Sequence, residues 1–199
     1  MKKIIYSSAL MLGMLTAATV QAQETTYYAG MGLGTVSVDY KDSAAGIDQK
    51  NASAGAFAYF GADLNDYLAL ETRIGATGKD KQTYAGGIER SFSSPTFLSL
   101  LAKVKYPVTP ELDLFVLGGM TRAKIKGKMT TAAGVVTQNK SKFGASFGVG
   151  TDYRVSDRIS LGAEWVQYLF PVNLSAGSVF TTGSKARMWG ITGKVAYHF

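Results

Sequence analysis

The sequence is poor in the residues that form covalent cross-links and many catalytic or metal sites. Its 199 residues include no cysteine, one histidine and four prolines. The absence of cysteine excludes a disulfide framework, a thiolate metal site and a cysteine nucleophile. The single histidine, His198, leaves no histidine cluster for a metal ion, and the sequence places no serine or acid beside it as a catalytic partner. We therefore expect no metal, no cofactor and no enzymatic activity.

Long hydrophobic runs are also missing after the first two dozen residues, although 46% of the chain is hydrophobic and only 18% is charged. No later segment has the ~18 consecutive apolar residues that a membrane-spanning helix needs. This composition excludes a charge-rich disordered chain, and the 23 glycines follow no collagen period. The hydrophobic residues must therefore lie in elements other than long helices.

Residues 1–22 have the organisation of a secretory signal peptide. In MKKIIYSSALMLGMLTAATVQA a basic start precedes an apolar stretch that ends in a small-residue cleavage site. The alternative is an uncleaved membrane anchor, which the shortness of the stretch and its serines and threonines disfavour. Cleavage before Gln23 leaves one domain, residues 23–199, with 19 basic and 14 acidic side chains and a formal net charge of +5.

Apolar and polar side chains alternate with a period of two along the mature chain. In LALETRIGA, residues 68–76, Ile74 shares one face with the leucines, whereas Glu71 and Arg73 lie on the other. A strand separates these faces cleanly, but a helix would spread the charges around its circumference. The pattern predicts eight strands, at 27–40, 54–64, 67–77, 96–107, 112–126, 142–154, 158–170 and 186–199.

The connections between these strands alternate between short and long. Short, turn-like links alternate strictly with longer ones rich in glycine, serine, threonine and lysine, near 41–53, 78–95, 127–141 and 171–185. An up-and-down sheet then has its short turns at one end and its long loops at the other. This predicts an all-β fold, an eight-stranded antiparallel up-and-down transmembrane β-barrel with short periplasmic turns and long extracellular loops. The alternative is a secreted soluble barrel or sandwich.

The last strand carries the clearest lipid-facing pattern. Its alternate residues Trp189, Ile191, Val195, Tyr197 and Phe199 share one face, and the chain ends in phenylalanine. A terminal pattern of this kind resembles the signal that the barrel-assembly machinery reads during insertion. Together with the signal peptide, it predicts a location in the outer membrane of a Gram-negative cell envelope.

The interior of an eight-stranded barrel is filled by side chains and leaves no open aqueous pore. Glycines such as Gly30, Gly32 and Gly34 fall on the inward phase and make room there. In the second strand the lipid-facing phase stays open, since Phe57 and Tyr59 compete with Ala58, Phe60 and Leu64 for the lipid face. Inward charges must pair, and we predict a lumen network of Glu71, Arg73, Lys103, Lys105, Asp152, Glu164 and Lys194, with Asp113 near the turns.

Several segments resemble the small eight-stranded outer-membrane barrels, that is, the transmembrane domain of outer membrane protein A and its single-domain relatives. The segments are YYAGMGLG (27–34), GAFAYFGADLNDYLALETRIG (55–75), LAKVKYPVTPELDLFVLGGMTRAK (101–124) and LGAEWVQY (161–168). The resemblance implies that Glu71 pairs with Lys103 inside the barrel and that Glu164 is another interior acid. Gly32 departs from the family, which often has a basic residue there.

The sequence is compatible with two functions. The first is an integral outer-membrane barrel with a plugged, charge-paired lumen, which acts in envelope structure or surface interaction through its loops. The second is a small porin-like channel that conducts ions when the lumen pairs break. Expected partners are outer-membrane lipid, lipopolysaccharide and a surface or host ligand of unknown identity, but no nucleic acid. A basic extracellular loop is predicted to meet anionic headgroups through Lys124, Lys126, Lys128, Lys140 and Lys142.

Overall fold

The computed structural model describes residues 25–42, 46–50, 52–84, 87–132, 134–174, 177, 179–180 and 183–199. The predicted signal peptide at 1–22 lies outside the described residues. In the described ranges no helix is long and apolar enough to cross a membrane. The described strands are β1 (Thr26–Asp42), β2 (Ile47–Gln49), β3 (Ala54–Asn65), β4 (Leu68–Thr77), β5 (Asp80–Tyr84), β6 (Ile88–Pro107), β7 (Leu112–Thr131), β8 (Gly134–Ser156), β9 (Ile159–Asn173) and β10 (Lys185–His198).

Eight of these strands form a closed antiparallel ring in the order β1, β3, β4, β6, β7, β8, β9, β10. The ring closes because β10 pairs with β1 from Tyr28↔His198 to Lys41↔Lys185. Closure removes the free sheet edges whose unpaired backbone groups would be costly in hydrocarbon. The predicted eight-stranded up-and-down barrel is confirmed. The two short strands lie outside the ring, β2 against β1 and β5 against β6.

The strands at the end opposite the short turns run further than the sequence pattern predicts. The predicted loop at 127–141 is largely a hairpin, because β7 and β8 stay paired as far as Thr131↔Gly134. The predicted loops at 41–53 and 78–95 contain β2 and β5. The strand ends are predicted from the alternation of apolar residues. This alternation stops before the backbone pairing does, so the strands are longer than predicted. We call residues 122–131 of β7 with residues 134–143 of β8 the β7–β8 extension.

Side chains alternate between the outer surface and the interior along each strand of the ring. The structure resolves the phase of the second predicted strand, now β3: Phe57 and Tyr59 are buried inside, whereas Ala58, Phe60 and Leu64 face outward. The inward aromatic rings lie where β1 carries glycine, since a Cβ atom on Gly32 would collide with the Phe57 ring and one on Gly30 with the Tyr59 ring. Small residues on one strand therefore accommodate large ones on the next.

The interior at the end of the long connections contains a cluster of aromatic rings among buried polar side chains. Tyr40, Phe92 and Phe180 stack there, with ring centroids 4.3 Å apart for Tyr40 and Phe92. Phe180 belongs to the connection between β9 and β10, and its ring packs over Gly127 of β7. Gln138 fixes this segment, because its side-chain oxygen accepts hydrogen bonds from the backbone amides of Val179 and Phe180, at 2.8 and 3.1 Å. Val179 and Phe180 are thus fixed against β7 and β8 at this end of the barrel.

Candidate functional sites in the lumen and on the β7–β8 extension

Arg73 lies at the centre of the charged interior. Alternation on β4 directs both Glu71 and Arg73 inward, and the Arg73 Nε lies 2.5 Å from Glu71 Oε1. The two terminal nitrogens of the guanidinium bind the two oxygens of Glu164 on β9, with Nη2 to Oε2 at 2.9 Å. All three side chains are wholly buried. Since β4 and β9 are four strands apart in either direction around the ring, this bidentate pair spans the lumen.

A second group of charges adjoins this pair. Lys194 lies 3.0 Å from Asp152 Oδ1 and 3.6 Å from Glu164 Oε2, and it thereby links the two groups. Lys103 also binds Asp152. Both ammonium groups face the ring of Phe115, at 4.5 Å for Lys103 and 4.3 Å for Lys194 from its centroid. The connected network therefore has three acidic and three basic side chains.

The pairing inside this network differs from the one that the family resemblance implied. Glu71 does not form an ion pair with Lys103; it binds Arg73 and accepts a hydrogen bond from the Tyr28 hydroxyl at 3.2 Å. The cause is the register between β4 and β6, in which Ala69 rather than Glu71 lies opposite Lys103. Lys103 reaches Asp152 instead.

The remaining predicted lumen charges lie nearer the short turns. Lys105 binds Asp63 of β3 at 2.6 Å, a pair separate from the central network. Asp113 is half-buried at the start of β7 and lines a small cavity there together with Lys105 and Asp63. Sequence reasoning missed Asp63 and Tyr28 because neither position reveals its partner until the strand register is known. The same cavity contains Ser160, whose Oγ lies 3.0 Å from His198 Nε2.

The charged side chains at the centre of the described interior pair with one another. Within the described ranges, no three carboxylate or imidazole groups come together in a way that could hold a metal ion. Removing one member of a buried ion pair leaves an uncompensated charge, which costs about 3–5 kcal/mol. Separation of these pairs without replacement partners would therefore be costly.

The residues of the predicted insertion signal all point outward on β10 and at the chain end. Ile191, Val195, Tyr197 and Phe199 are exposed on the outer surface. Trp189 is half-buried at the far end of the strand, where its indole N–H donates to Asp39 Oδ2 at 3.1 Å. Four of the five residues thus form a continuous apolar face toward the short-turn end.

The five lysines of the predicted basic loop lie on both faces of the β7–β8 extension. Lys140 and Lys142 pair with Ile125 and Ala123 of β7, both of which are wholly buried. They therefore share the inward phase. The other three, Lys124, Lys126 and Lys128, share the outward phase. A single basic cluster was the expectation; antiparallel pairing separates it, because even-numbered residues of β7 lie opposite odd-numbered residues of β8.

The closed ring, apolar outside and charge-paired inside, defines a small eight-stranded outer-membrane β-barrel. The family model described as "Outer membrane protein beta-barrel domain" matches residues 7–199, and the chain belongs to this family. The protein is therefore located in the outer membrane.

Similar proteins cover most of the chain. Outer membrane protein A of Yersinia pseudotuberculosis is 31% identical over 172 residues, 83% of this chain and 44% of that protein. This chain spans about half the length of the curated relatives it matches. Neisserial surface protein A has a TM-score of 0.57 at 11% identity, covering 89% of this chain and 100% of that one. Ail of Yersinia pestis, in complex with the heparin analogue sucrose octasulfate, has a TM-score of 0.52 at 15% identity, covering 87% and 99%.

Proposed function

We propose that this protein is an outer-membrane barrel with a plugged lumen, which acts in envelope structure or surface interaction through its extracellular side. The observation that carries the plugged lumen is the wholly buried bidentate pair between Arg73 and Glu164, which crosses the barrel from β4 to β9. The ring of Phe57 lies against Arg73, and the ring of Phe115 lies against Lys103 of the adjoining group of charges. An opening would have to separate these pairs without replacing them, at a cost of several kcal/mol.

The surface role is supported by the construction of the extracellular side. The long connections continue as paired strands, and an apolar cluster of Tyr40, Phe92 and Phe180 holds them together. Such a frame presents side chains in fixed positions outside the membrane. Ail, which shares the fold, was solved with a sulfated sugar, and this favours anionic surface ligands for the extracellular side here as well.

The alternative is a small ion channel gated by the lumen pairs. The observation that favours it is the position of Lys194, which lies close to Asp152 and to Glu164 and so could exchange one acidic partner for the other. Single-channel recordings on the refolded protein distinguish the two functions. We expect no steady conductance from wild type, from Glu71→Gln or from Lys103→Gln, with Lys81→Gln, which breaks an exposed pair with Glu89, as the control. Steady conductance of wild type that the two lumen variants change would replace the plug by the channel.

The surface role has its own test. A variant in which an Asn-Gly turn replaces residues 127–138 joins Lys126 to Asn139, which are already cross-strand partners. We expect the shortened barrel to insert and, like wild type, to stay folded in cold detergent. By contrast, we expect a decrease either in the attachment of expressing cells to host cells or in the resistance of those cells to detergents. Unchanged attachment and unchanged envelope integrity would remove the β7–β8 extension from the proposed function.

The proposal includes no catalytic role. The contact between Ser160 and His198 joins β9 to β10 at the periplasmic rim, and we assign it to packing of that rim. Lipid turnover by the purified protein that disappears in His198→Ala would contradict this assignment. Insertion through the barrel-assembly machinery, guided by the outward face of β10, is part of the same proposal.

A further inference from the structure

A row of four cations follows the outward face of β7 beyond its apolar belt. Arg122, Lys124, Lys126 and Lys128 occupy alternate positions, so that successive charges are about 6.8 Å apart along the strand. We call these four residues the basic ladder. In the described part of the chain, no carboxylate lies within 4.0 Å of any of them. The ladder therefore presents uncompensated positive charge.

The strands on both sides of the basic ladder supply neutral hydrogen-bonding groups. On β6 the partners of its three lysines are Thr96, Ser93 and Ser91. On β8 the partners of the same lysines are Ser141, Asn139 and Thr137. Hydroxyl and amide groups beside cations are suited to the several oxygen atoms of a phosphate group.

The upper half of the basic ladder lines a concave site. Lys126 and Lys128 surround a cleft of about 310 Å³ together with Lys79, which follows β4. Its floor includes Ser91 and Ser93, which are only 5% and 7% exposed. Three lysines from two separate parts of the chain thus line one cleft together with two buried serines.

The position of the cleft relative to the membrane indicates its ligand. The basic ladder begins at Arg122, whose cross-strand neighbours Leu98 and Phe143 are large and exposed on the lipid-facing surface. Lys126 lies four residues further along β7, which is on the order of 10 Å higher for a strand tilted by ~40°. The cleft opens on the same face of the sheet that meets lipid below. A lipid of the outer leaflet could therefore reach it without leaving the membrane.

We propose that this cleft binds a phosphate group of the lipid anchor of lipopolysaccharide, with its acyl chains against the apolar belt below. The inference names a partner for the proposed surface role, and it rests on that role in placing the β7–β8 extension outside the membrane. Lys140 and Lys142, on the inward phase of the same extension, take no part in this contact.

The inward pair provides a matched control for the test. We compare full-length wild type with Lys126→Gln/Lys128→Gln and with Lys140→Gln/Lys142→Gln, each of which removes two charges from the same extension. Native mass spectrometry in detergent measures binding of purified bisphosphorylated lipid A, of its dephosphorylated form, and of inorganic phosphate. Binding of heparin is measured in parallel, and the change of electrophoretic mobility on boiling verifies that each variant is folded.

At about 1 kcal/mol for each lysine near anionic headgroups, we expect roughly 10- to 30-fold weaker binding of bisphosphorylated lipid A by the ladder variant. The control variant Lys140→Gln/Lys142→Gln should bind bisphosphorylated lipid A within about twofold of wild type, because isolated surface charges contribute little. Neither variant should alter the binding of dephosphorylated lipid A. Equal weakening by both variants would overturn the site, as would a ladder variant that loses heparin or free phosphate but not lipid A. If the ladder variant lost lipid A binding while the attachment of expressing cells and the lumen conductance stayed unchanged, the proposed function would still stand.

Discussion

Glycines on the inward phase show how closely single residues determine this barrel. Gly119 and Gly118 are neighbours on β7, one pointing inward and the other outward. A Cβ atom on Gly119 would meet the carbonyl oxygen of Leu100 and lie 2.9 Å from the Leu101 Cα, whereas one on Gly118 would have nothing within 4 Å. The crowding is a property of the interior and not of the strand as such.

Replacement of these two glycines by alanine should have opposite consequences. We expect Gly119→Ala to lower the free energy of unfolding by about 1–3 kcal/mol, because backbone atoms of β6 must move to admit the methyl group. Gly118→Ala should be neutral or slightly stabilising, since an added side chain reduces the freedom of the unfolded chain. Urea unfolding in lipid vesicles measures both. Equal destabilisation by the two substitutions would show that the inward space is not the cause.

At the same scale, the sequence predicted which charges enter the lumen but not how they pair. Alternation alone assigned Glu71, Arg73 and Lys103 to the interior, and the structure places them there. Their partners depend on the register between strands and on side-chain reach. Glu71 therefore binds Arg73 instead of Lys103, and Asp63 becomes the partner of Lys105. The alternation of apolar and polar residues determines neither the register between strands nor how far a charged side chain reaches.

At the scale of elements, the described apolar residues between β9 and β10 form a cap on the β7–β8 extension. Leu174, Val179 and Phe180 are buried although they lie in no strand. The Phe180 ring fills the space over Gly127, and Gln138 binds the adjacent backbone. The sequence pattern indicated only a long polar loop here, because three apolar residues without a period give no sign that they will be buried together.

Truncation of this apolar contact should release the cap and leave the barrel intact. We expect Phe180→Ala to accelerate hydrogen exchange at the amides of Val179 and Phe180 at least tenfold, since a buried Phe→Ala change costs about 3–5 kcal/mol when the loss falls on one local contact. Val135→Ala, at an exposed position of the β7–β8 extension, is the control. Mass spectrometry resolves the exchange by peptide. Faster exchange throughout β7, including Leu117 in the lumen, would show that the cap and the barrel unfold together.

At the scale of the whole molecule, closure of the ring brings the two ends of the described chain together. β1 pairs with β10, and the backbone N–H of Phe199 donates to the Tyr27 carbonyl at 2.9 Å. The Phe199 side chain is 72% exposed, and it contributes little to the packing of the finished barrel. The predicted role of this residue in insertion can therefore be separated from a role in stability.

Deletion of Phe199 should impair insertion in cells more than folding in vitro. We expect a several-fold smaller fraction of the protein in cell membranes to change mobility on boiling, because the proposed insertion signal on the outward face of β10 would lose its terminal aromatic residue. Refolding into lipid vesicles should proceed to within about twofold of wild type, since one terminal hydrogen bond contributes only ~1 kcal/mol. Tyr106→Ala, another exposed aromatic at the same end, is the control. A matching defect in vitro would assign Phe199 to stability instead.

The fixed relation between β7 and β8 also limits how the outer part of this protein can change over generations. Neighbouring positions face opposite sides of the sheet. The gain or loss of one residue between Gly119 and Arg122 would therefore turn the outward lysines of β7 into the interior and expose Ile125 on the outer surface. Changes of two residues would preserve both faces, and the link between Thr131 and Gly134 could vary freely in length. We therefore expect insertions and deletions in homologous chains to comprise an even number of residues within these strands and any number of residues in the link between them.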